Sequence, residues 1–412
     1  MRARPLSAGG PQAGKCELAE KARAKPLGLA PIVATPTAEI CHPRRVGLGH
    51  CRTLPARGPR RLVGFPAYPP QERARSCRYT ALSSVRTLVC SQPERLGAVQ
   101  PKPDDYSYDL DHALASVVGI KSMVPGDAFT AETLGTERAG NGVLIRGGEG
   151  LVLTIGYLIT EAETVWISRG SGSAVPGHVL GYDQETGFGL VQALARLDLP
   201  SLPLGSSKSA EIGERVVVGG VGGRQRSVAA RIIAKQEFAG YWEYVLDEAI
   251  FTAPAHPNWG GTAVIGPAGD LIGVGSLQIQ QAAAQRRLED VNMVVPIDLL
   301  KPIFGDLLTI GRANRPPRPW LGVYATEVGS NVAILGLASR GPAERADLRA
   351  GDIVLRVGGN SVNDLAGLFR RVWALGQAGV DVPLFINREG KSFELRVRSG
   401  DRRSFLKGPV LH

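Results

Sequence analysis

The sequence predicts an all-β protein: a barrel or sandwich of many short strands, then a smaller β unit with short helices. Three observations carry the prediction. From Gly142 to Val295 the chain repeats short apolar runs bounded by Gly, Asp or Pro at roughly even spacing, the pattern of antiparallel strands joined by turns. These runs do not alternate with the helical patterns of about 10–15 residues that a parallel α/β sheet requires. Finally, Arg312 to Pro319 (R-A-N-R-P-P-R-P) cannot continue a helix, and a second compact unit follows it.

Taken in order, residues 1–103 form a basic segment. The first hundred residues hold 17 Lys or Arg against 5 Glu and no Asp, so the whole-chain net charge of +10 originates there. The segment is rich in Arg, Pro, Ala, Gly and Ser and has no sustained period, which predicts disorder. Its arginines lack the aromatic interleaving or motifs of nucleic-acid binders, so no nucleic-acid partner is expected. All five cysteines (Cys16, Cys41, Cys51, Cys77 and Cys90) lie there, at spacings that match no zinc pattern. A second reading is that the segment is not genuine coding sequence but translation ahead of a start near Val99. Without an export signal a cytoplasmic location would then follow; otherwise the compartment stays open. No run of about 18 apolar residues exists, so no transmembrane helix is expected.

Residues 104–311 make the first folded domain. Strand-like runs are read at Gly142 to Ile145, Leu151 to Thr154, Thr164 to Ile167, His178 to Tyr182, Gly189 to Ala193, Arg215 to Val221 and Ser227 to Ala234. Others are read at Tyr244 to Phe251, Thr262 to Ile265, Leu271 to Leu277 and Val291 to Val295. Trp166, inside V-W-I, is expected to pack in the core, and Asp183 to be a turn residue accepting backbone N–H groups. The linker is 312–319, the second domain 320–400 and the tail 401–412. In the second domain Gly351 and Asp352 turn into a strand, Leu365 to Leu375 reads as helix, and Arg388 to Lys391 as a hairpin turn.

Seven landmarks give the first domain a resemblance: Gly140 to Ile145, Leu151 to Thr154, Gly181 to Thr186, Leu202 to Gly205, Ile212 to Gly220, Ala268 to Val274 and Val294 to Ile297. In this order they resemble the protease domain of the HtrA/Deg family, a double six-stranded barrel of chymotrypsin type. Residues 320–400 are similar to the PDZ domain of the same family. The fold expected is therefore all-β: a chymotrypsin-like double β-barrel followed by one PDZ domain.

The resemblance implies a Ser-His-Asp triad, in which histidine activates the hydroxyl and aspartate fixes the imidazole tautomer. Carried onto this chain, the histidine position is Tyr157 and the aspartate position is Gly187. The nucleophile position falls in Ala253 to Ala263 (A-P-A-H-P-N-W-G-G-T-A) on Trp259 or, in a second register, on Gly260. No serine stands in either register, and none of these side chains suits its role. The family's second oxyanion donor, two residues before the nucleophile, falls on Pro257, which has no N–H, or on Asn258. The old cleft is thus read as His256, Pro257, Asn258, Trp259 and Gly261. His256 is expected to be a loop histidine bonded to backbone, the alternative being a base or weak metal ligand. Trp259 either fills the cleft or anchors a partner. No metal and no cofactor is expected.

For the PDZ-like unit, the resemblance places a carboxylate-binding loop and its strand at Trp320, Leu321, Gly322 and Val323, beside a helix that presents Leu368 and Val372. A protein or peptide C-terminus would add an edge strand there. The contrary expectation is a groove occluded or used internally against the barrel. The family also forms trimers through the N-terminal part of its protease domain; whether this chain is a homo-oligomer stays open. The function expected is a proteolytically dead HtrA-like binding module, the alternative being a serine endopeptidase with relocated or degenerate catalytic residues.

Overall fold

The computed structural model describes residues 100–170, 172–282 and 288–408. The basic segment up to residue 99, its cysteines and the question of where translation begins lie outside the described residues. Helix α1 (Leu110–Ala115) opens the folded part, its first turn capped by the Asp109 carboxylate, which accepts the His112 N–H at 3.0 Å.

Six strands follow: β1 (Val117–Met123), β2 (Glu137–Arg146), β3 (Leu151–Ile155), β4 (Thr164–Ser168), β5 (Ala174–Tyr182) and β6 (Phe188–Ala193), with the short helix α2 (Ala131–Leu134) before β2. They pair antiparallel in the order β1-β2-β3-β6-β5-β4, and β4 returns to β1. Closure leaves no free edge and surrounds a core of Ile120, Leu144, Val152, Ile167 and Val191, which share the inward face. Burying each such side chain contributes about 1.5–3 kcal/mol. In β4 the period of two puts Val165 and Ile167 inward and leaves Trp166 45% exposed, so Trp166 is not the core residue expected of it.

A second set, β7 (Arg215–Gly219), β8 (Ser227–Gly240), β9 (Tyr244–Ala253), β10 (Ala263–Ile265), β11 (Leu271–Ala282) and β12 (Leu288–Pro296), closes in the order β10-β11-β12-β9-β8-β7 through a β10–β7 pairing. Its centre is aliphatic: Val216, Val218, Val228, Ile232, Ile250, Val264 and Val294. Strands β8 and β9 form a hairpin whose tip is Tyr241, Trp242 and Glu243. Helix α3 (Phe304–Ile310) then ends on Gly311, at φ +71.

The last unit is a sheet of β13 (Val323–Val328), β14 (Asn331–Leu337), β15 (Ile353–Val357), β17 (Asp381–Arg388) and β18 (Lys391–Arg398), with β16 (Asn360–Ser361) paired to β15. Helices α4 (Pro342–Arg345) and α5 (Leu365–Trp373) pack with it. Asp364 caps α5 by accepting the Gly367 N–H at 2.6 Å. Leu365, Leu368, Phe369 and Val372 recur at helical spacing and are buried with Val323, Ala325 and Val354. Asp352, 1% exposed, is neutralised by Arg388, whose Nε and Nη2 each donate to it at 2.7 Å.

The expectation of an all-β double-barrel chain is corrected by this unit. An amphipathic helix supplies one wall of its core, so the protein is a trypsin-like β core joined to a mixed β/α unit, not a purely all-β fold. The sequence-based class counted strands and treated the helix as an ornament of the sheet.

Candidate functional site

Two places hold the residues singled out from sequence. In the old cleft, Tyr157 sits on the 3-10 turn after β3, and its hydroxyl donates to the Ser276 carbonyl at 2.8 Å. A β-carbon on Gly260 would stand 2.6 Å from that hydroxyl, so of the two registers Gly260 is the one whose α-carbon faces Tyr157. Burial raises the Tyr157 pKa, and the Trp259 side chain lies close enough to oppose that shift. The phenol therefore stays neutral and occupies space beside the turn. Gly187 does not join them. Its carbonyl accepts the Gly156 N–H at 2.6 Å, but its φ is +87 and a β-carbon would meet Tyr244 Oη at 3.2 Å and Ile155 Cδ1 at 3.3 Å.

The turn itself is held by hydrogen bonds rather than opened for chemistry. Asn141, buried on β2, donates Nδ2 to the carbonyls of Asn258 (2.9 Å) and Gly260 (3.1 Å), and its N–H donates to Gly260 at 2.8 Å. Gly261 has φ +77, and a β-carbon there would lie 1.8 Å from the Asn141 carbonyl oxygen. His256 is 2% exposed. Its Nδ1 accepts the Asn258 N–H at 3.0 Å, so Nε2 carries the proton and donates to the Arg226 carbonyl at 2.8 Å. Burial lowers the His256 pKa, which keeps this neutral tautomer. Both ring nitrogens are engaged, and the Asn258 amide, an oxyanion donor in the second register, is already used inside the loop. Pro257 is exposed and Trp259 half-buried.

The second place is the groove between β13 and α5. Here the amides of Leu321, Gly322 and Val323, the loop residues named from sequence, converge on a carboxylate of the chain itself. Glu243, at the β8–β9 tip, accepts from Gly322 at 2.6 Å, Val323 at 3.0 Å and Leu321 at 3.2 Å through Oε1, and from Leu321 at 3.1 Å through Oε2. Two residues back, the Tyr241 carbonyl accepts the Ala325 N–H at 2.9 Å. Val245 is buried in the same cluster as Leu368 and Val372. Arg370 on α5 pairs with Glu237 on β8 and with Asp247 on β9, the latter at 2.5 Å. Burial lifts the Glu243 carboxyl to about 7 against the opposing pull of the three amides and the Arg402 charge.

The structure thus brings together Leu321, Gly322, Val323, Leu368 and Val372. Trp320 belongs to the loop by backbone alone: its ring packs against Phe405 (centroids 4.8 Å apart) and Phe129 (5.8 Å). Sequence reasoning missed Glu243, Tyr241, Val245, Arg370 and Asn141. The one local signal was Gly240 to Tyr244 (G-Y-W-E-Y), an aromatic-rich hairpin tip carrying a single carboxylate, which is an uneconomical composition for a solvated turn. Asp183 is the turn acceptor expected, taking the Thr186 N–H at 2.9 Å, and it also holds Arg315 of the linker through both oxygens, at 2.9 and 2.8 Å.

Comparisons agree with this division. Residues 140–274 match the family described as trypsin-like peptidase domain, and residues 319–398 match the PDZ domain family. The chain therefore joins a trypsin-like peptidase domain to a PDZ domain. Among curated relatives it is 24% identical over 336 residues to the serine protease Do-like HtrA of Lactobacillus helveticus, covering 70% of this chain and 79% of that one. It is 26% identical over 282 residues to the probable periplasmic serine endoprotease DegP-like of Halomonas elongata, covering 65% of this chain and 58% of that one. Among solved structures, the HtrA-type protease AlgW with decapeptide shares 19% identity at a TM-score of 0.44, over 73% of this chain and 98% of that one. The chain is thus similar to HtrA- and DegP-like serine proteases, with a trypsin-like peptidase match followed by a PDZ match. That architecture is consistent with protein binding or with proteolysis, and a PDZ domain suggests binding of peptide C-termini. Among the described residues no helix is long and apolar enough to cross a membrane.

Proposed function

We propose that this protein is an HtrA-like pseudoprotease that binds protein or peptide carboxy termini through its PDZ groove. The observation that carries the reading is the convergence of three backbone amides, Leu321 to Val323, on a carboxylate beside an apolar cleft. That geometry recognises a chain terminus. The loss of proteolysis is supported by the residues at the triad positions: Tyr157, Gly187 and Trp259 or Gly260 supply no base, no carboxylate and no hydroxyl nucleophile. The packing of the Tyr157 hydroxyl against Gly260 and the use of the Asn258 amide by His256 support it further. The working units in this reading are 104–311, the linker 312–319 and 320–400, with 401–412 as a tail. Relatives named as periplasmic, such as that of Halomonas elongata, support a periplasmic location.

Fluorescence anisotropy with a labelled decapeptide ending in a free carboxylate, against its amidated twin, tests the binding. Preference for the free acid is expected, and equal affinity for the two would refute carboxylate recognition. The relatives named as endoproteases favour the alternative, a serine endopeptidase with relocated residues. Treatment with a fluorophosphonate probe separates the two, because reproducible labelling of a single serine would establish the alternative.

A further inference from the structure

The β8–β9 hairpin tip presents to the groove a carboxylate, a backbone carbonyl and an aliphatic side chain, three of the features by which an extended peptide would be held. Its carboxylate takes the three loop amides. One backbone bond ties the tip to β13, the Tyr241 carbonyl accepting the Ala325 N–H at 2.9 Å, and the Glu243 side chain takes the Val323 N–H two residues earlier on β13. The tip is a turn, and it runs antiparallel to β13 toward the carboxylate loop, the direction in which a bound chain terminus would run. Val245 supplies the aliphatic side chain buried with Leu368, Phe369 and Val372. Arg370 fastens the hairpin from the opposite wall through Glu237 and Asp247.

We propose that this tip is an internal ligand of the PDZ groove: Glu243 stands in for a terminal carboxylate, and an external carboxy terminus enters only by displacing it. The inference rests on the binding function proposed above. The competitor it predicts is a polypeptide with a free terminal carboxylate and a small aliphatic last residue, since the side chain buried there now is a valine. Displacement is favoured by a feature of the internal ligand. Glu243 reaches the amides from a backbone at φ +61, a left-handed conformation uncommon for a residue with a β-carbon, whereas a true terminus presents its carboxylate without that constraint.

The test uses the full chain as wild type, Glu243→Ala and Glu243→Gln. Two readouts are taken: the affinity of a fluorescein-labelled decapeptide ending in valine with a free carboxylate, and amide hydrogen exchange over residues 320–325. A groove held mostly closed lowers apparent affinity by the fraction open, so the alanine variant is expected to bind about ten-fold tighter or more, and the glutamine variant, which keeps an acceptor oxygen for the amides and has no charge to desolvate, no tighter than wild type. Exchange at Leu321, Gly322 and Val323 should accelerate in the alanine variant while the β17–β18 amides, which report folding of the unit, stay protected. Equal affinity of wild type and the alanine variant, or unchanged exchange at the three amides, would overturn the internal ligand while leaving peptide binding standing. Release of the three amides with no peptide bound by any variant would instead overturn the binding function, and with it displacement by a carboxy terminus.

Discussion

Replacing Glu243 by glutamine removes a carboxyl whose titration should control how firmly the hairpin tip is seated. Docked, burial raises that carboxyl from 4.5 to about 7, more than the amides and Arg402 can offset. Undocked, it returns to water and to the ordinary value. Between these values the docked state holds a proton that the undocked state releases. Docking is therefore strongest below about pH 4.5 and is lost progressively as pH rises through 7. At about 1.4 kcal/mol per pH unit, the gap weakens docking by about 3 kcal/mol at most. The phenols of Tyr182, Tyr241 and Tyr324, which surround the contact, are all raised by burial and stay neutral over this interval, and Arg402 stays charged. Peptide affinity measured for wild type and for E243Q across about pH 5 to 8 provides the assay, and the ratio of the two dissociation constants cancels the peptide's own titration. The ratio should fall roughly fifty-fold toward alkaline pH, following the two values above. A flat ratio, or one that rises with pH, would refute the argument that desolvation outweighs the amides at Glu243.

Three further outcomes follow from the packing. Arg388→Ala leaves Asp352 buried without its cation and should destabilise the C-terminal unit by about 3 kcal/mol, read as a lower urea midpoint; an unchanged midpoint would mean the pair contributes little. Gly261→Ala drives a β-carbon into the Asn141 carbonyl and should cost far more stability than Gly213→Ala, which has a similar left-handed φ of +92 but open space around it. Equal thermal shifts in the two would show backbone strain rather than the clash to be responsible. Rebuilding the triad as Tyr157→His, Gly187→Asp and Gly260→Ser should not give casein cleavage above background. The β-carbon at position 187 points at Tyr244 and Ile155, and the Asn258 amide remains bound to His256; robust cleavage by the triple variant would show that the scaffold retains a working cleft.

What the sequence could and could not reveal divides along the range of the interactions. Strand positions were legible because each depends on local alternation and turn chemistry: Leu151 to Thr154 and Leu271 to Leu277 announce themselves as apolar runs between glycines and acidic turns. The loop at Leu321 to Val323 was legible only through the resemblance, which put a carboxylate-binding loop on the W-L-G-V string; the left-handed Gly322, at φ +78, makes its turn. Trp166 was misread because a three-residue run does not say which face of a strand meets the core, and a register one residue off moves every side chain across the sheet. Glu243 was out of reach for a different reason. Its partners lie 78 to 80 residues further along the chain, and a carboxylate at a hairpin tip has the local signature of a solvated turn. Only the packing of two units brings it into the groove, where the desolvation that makes a buried carboxyl costly is met by three amides arranged to receive one. A groove legible in sequence can therefore be occupied by a residue that is not, because recognition loops are encoded locally and their internal competitors are set by the tertiary fold.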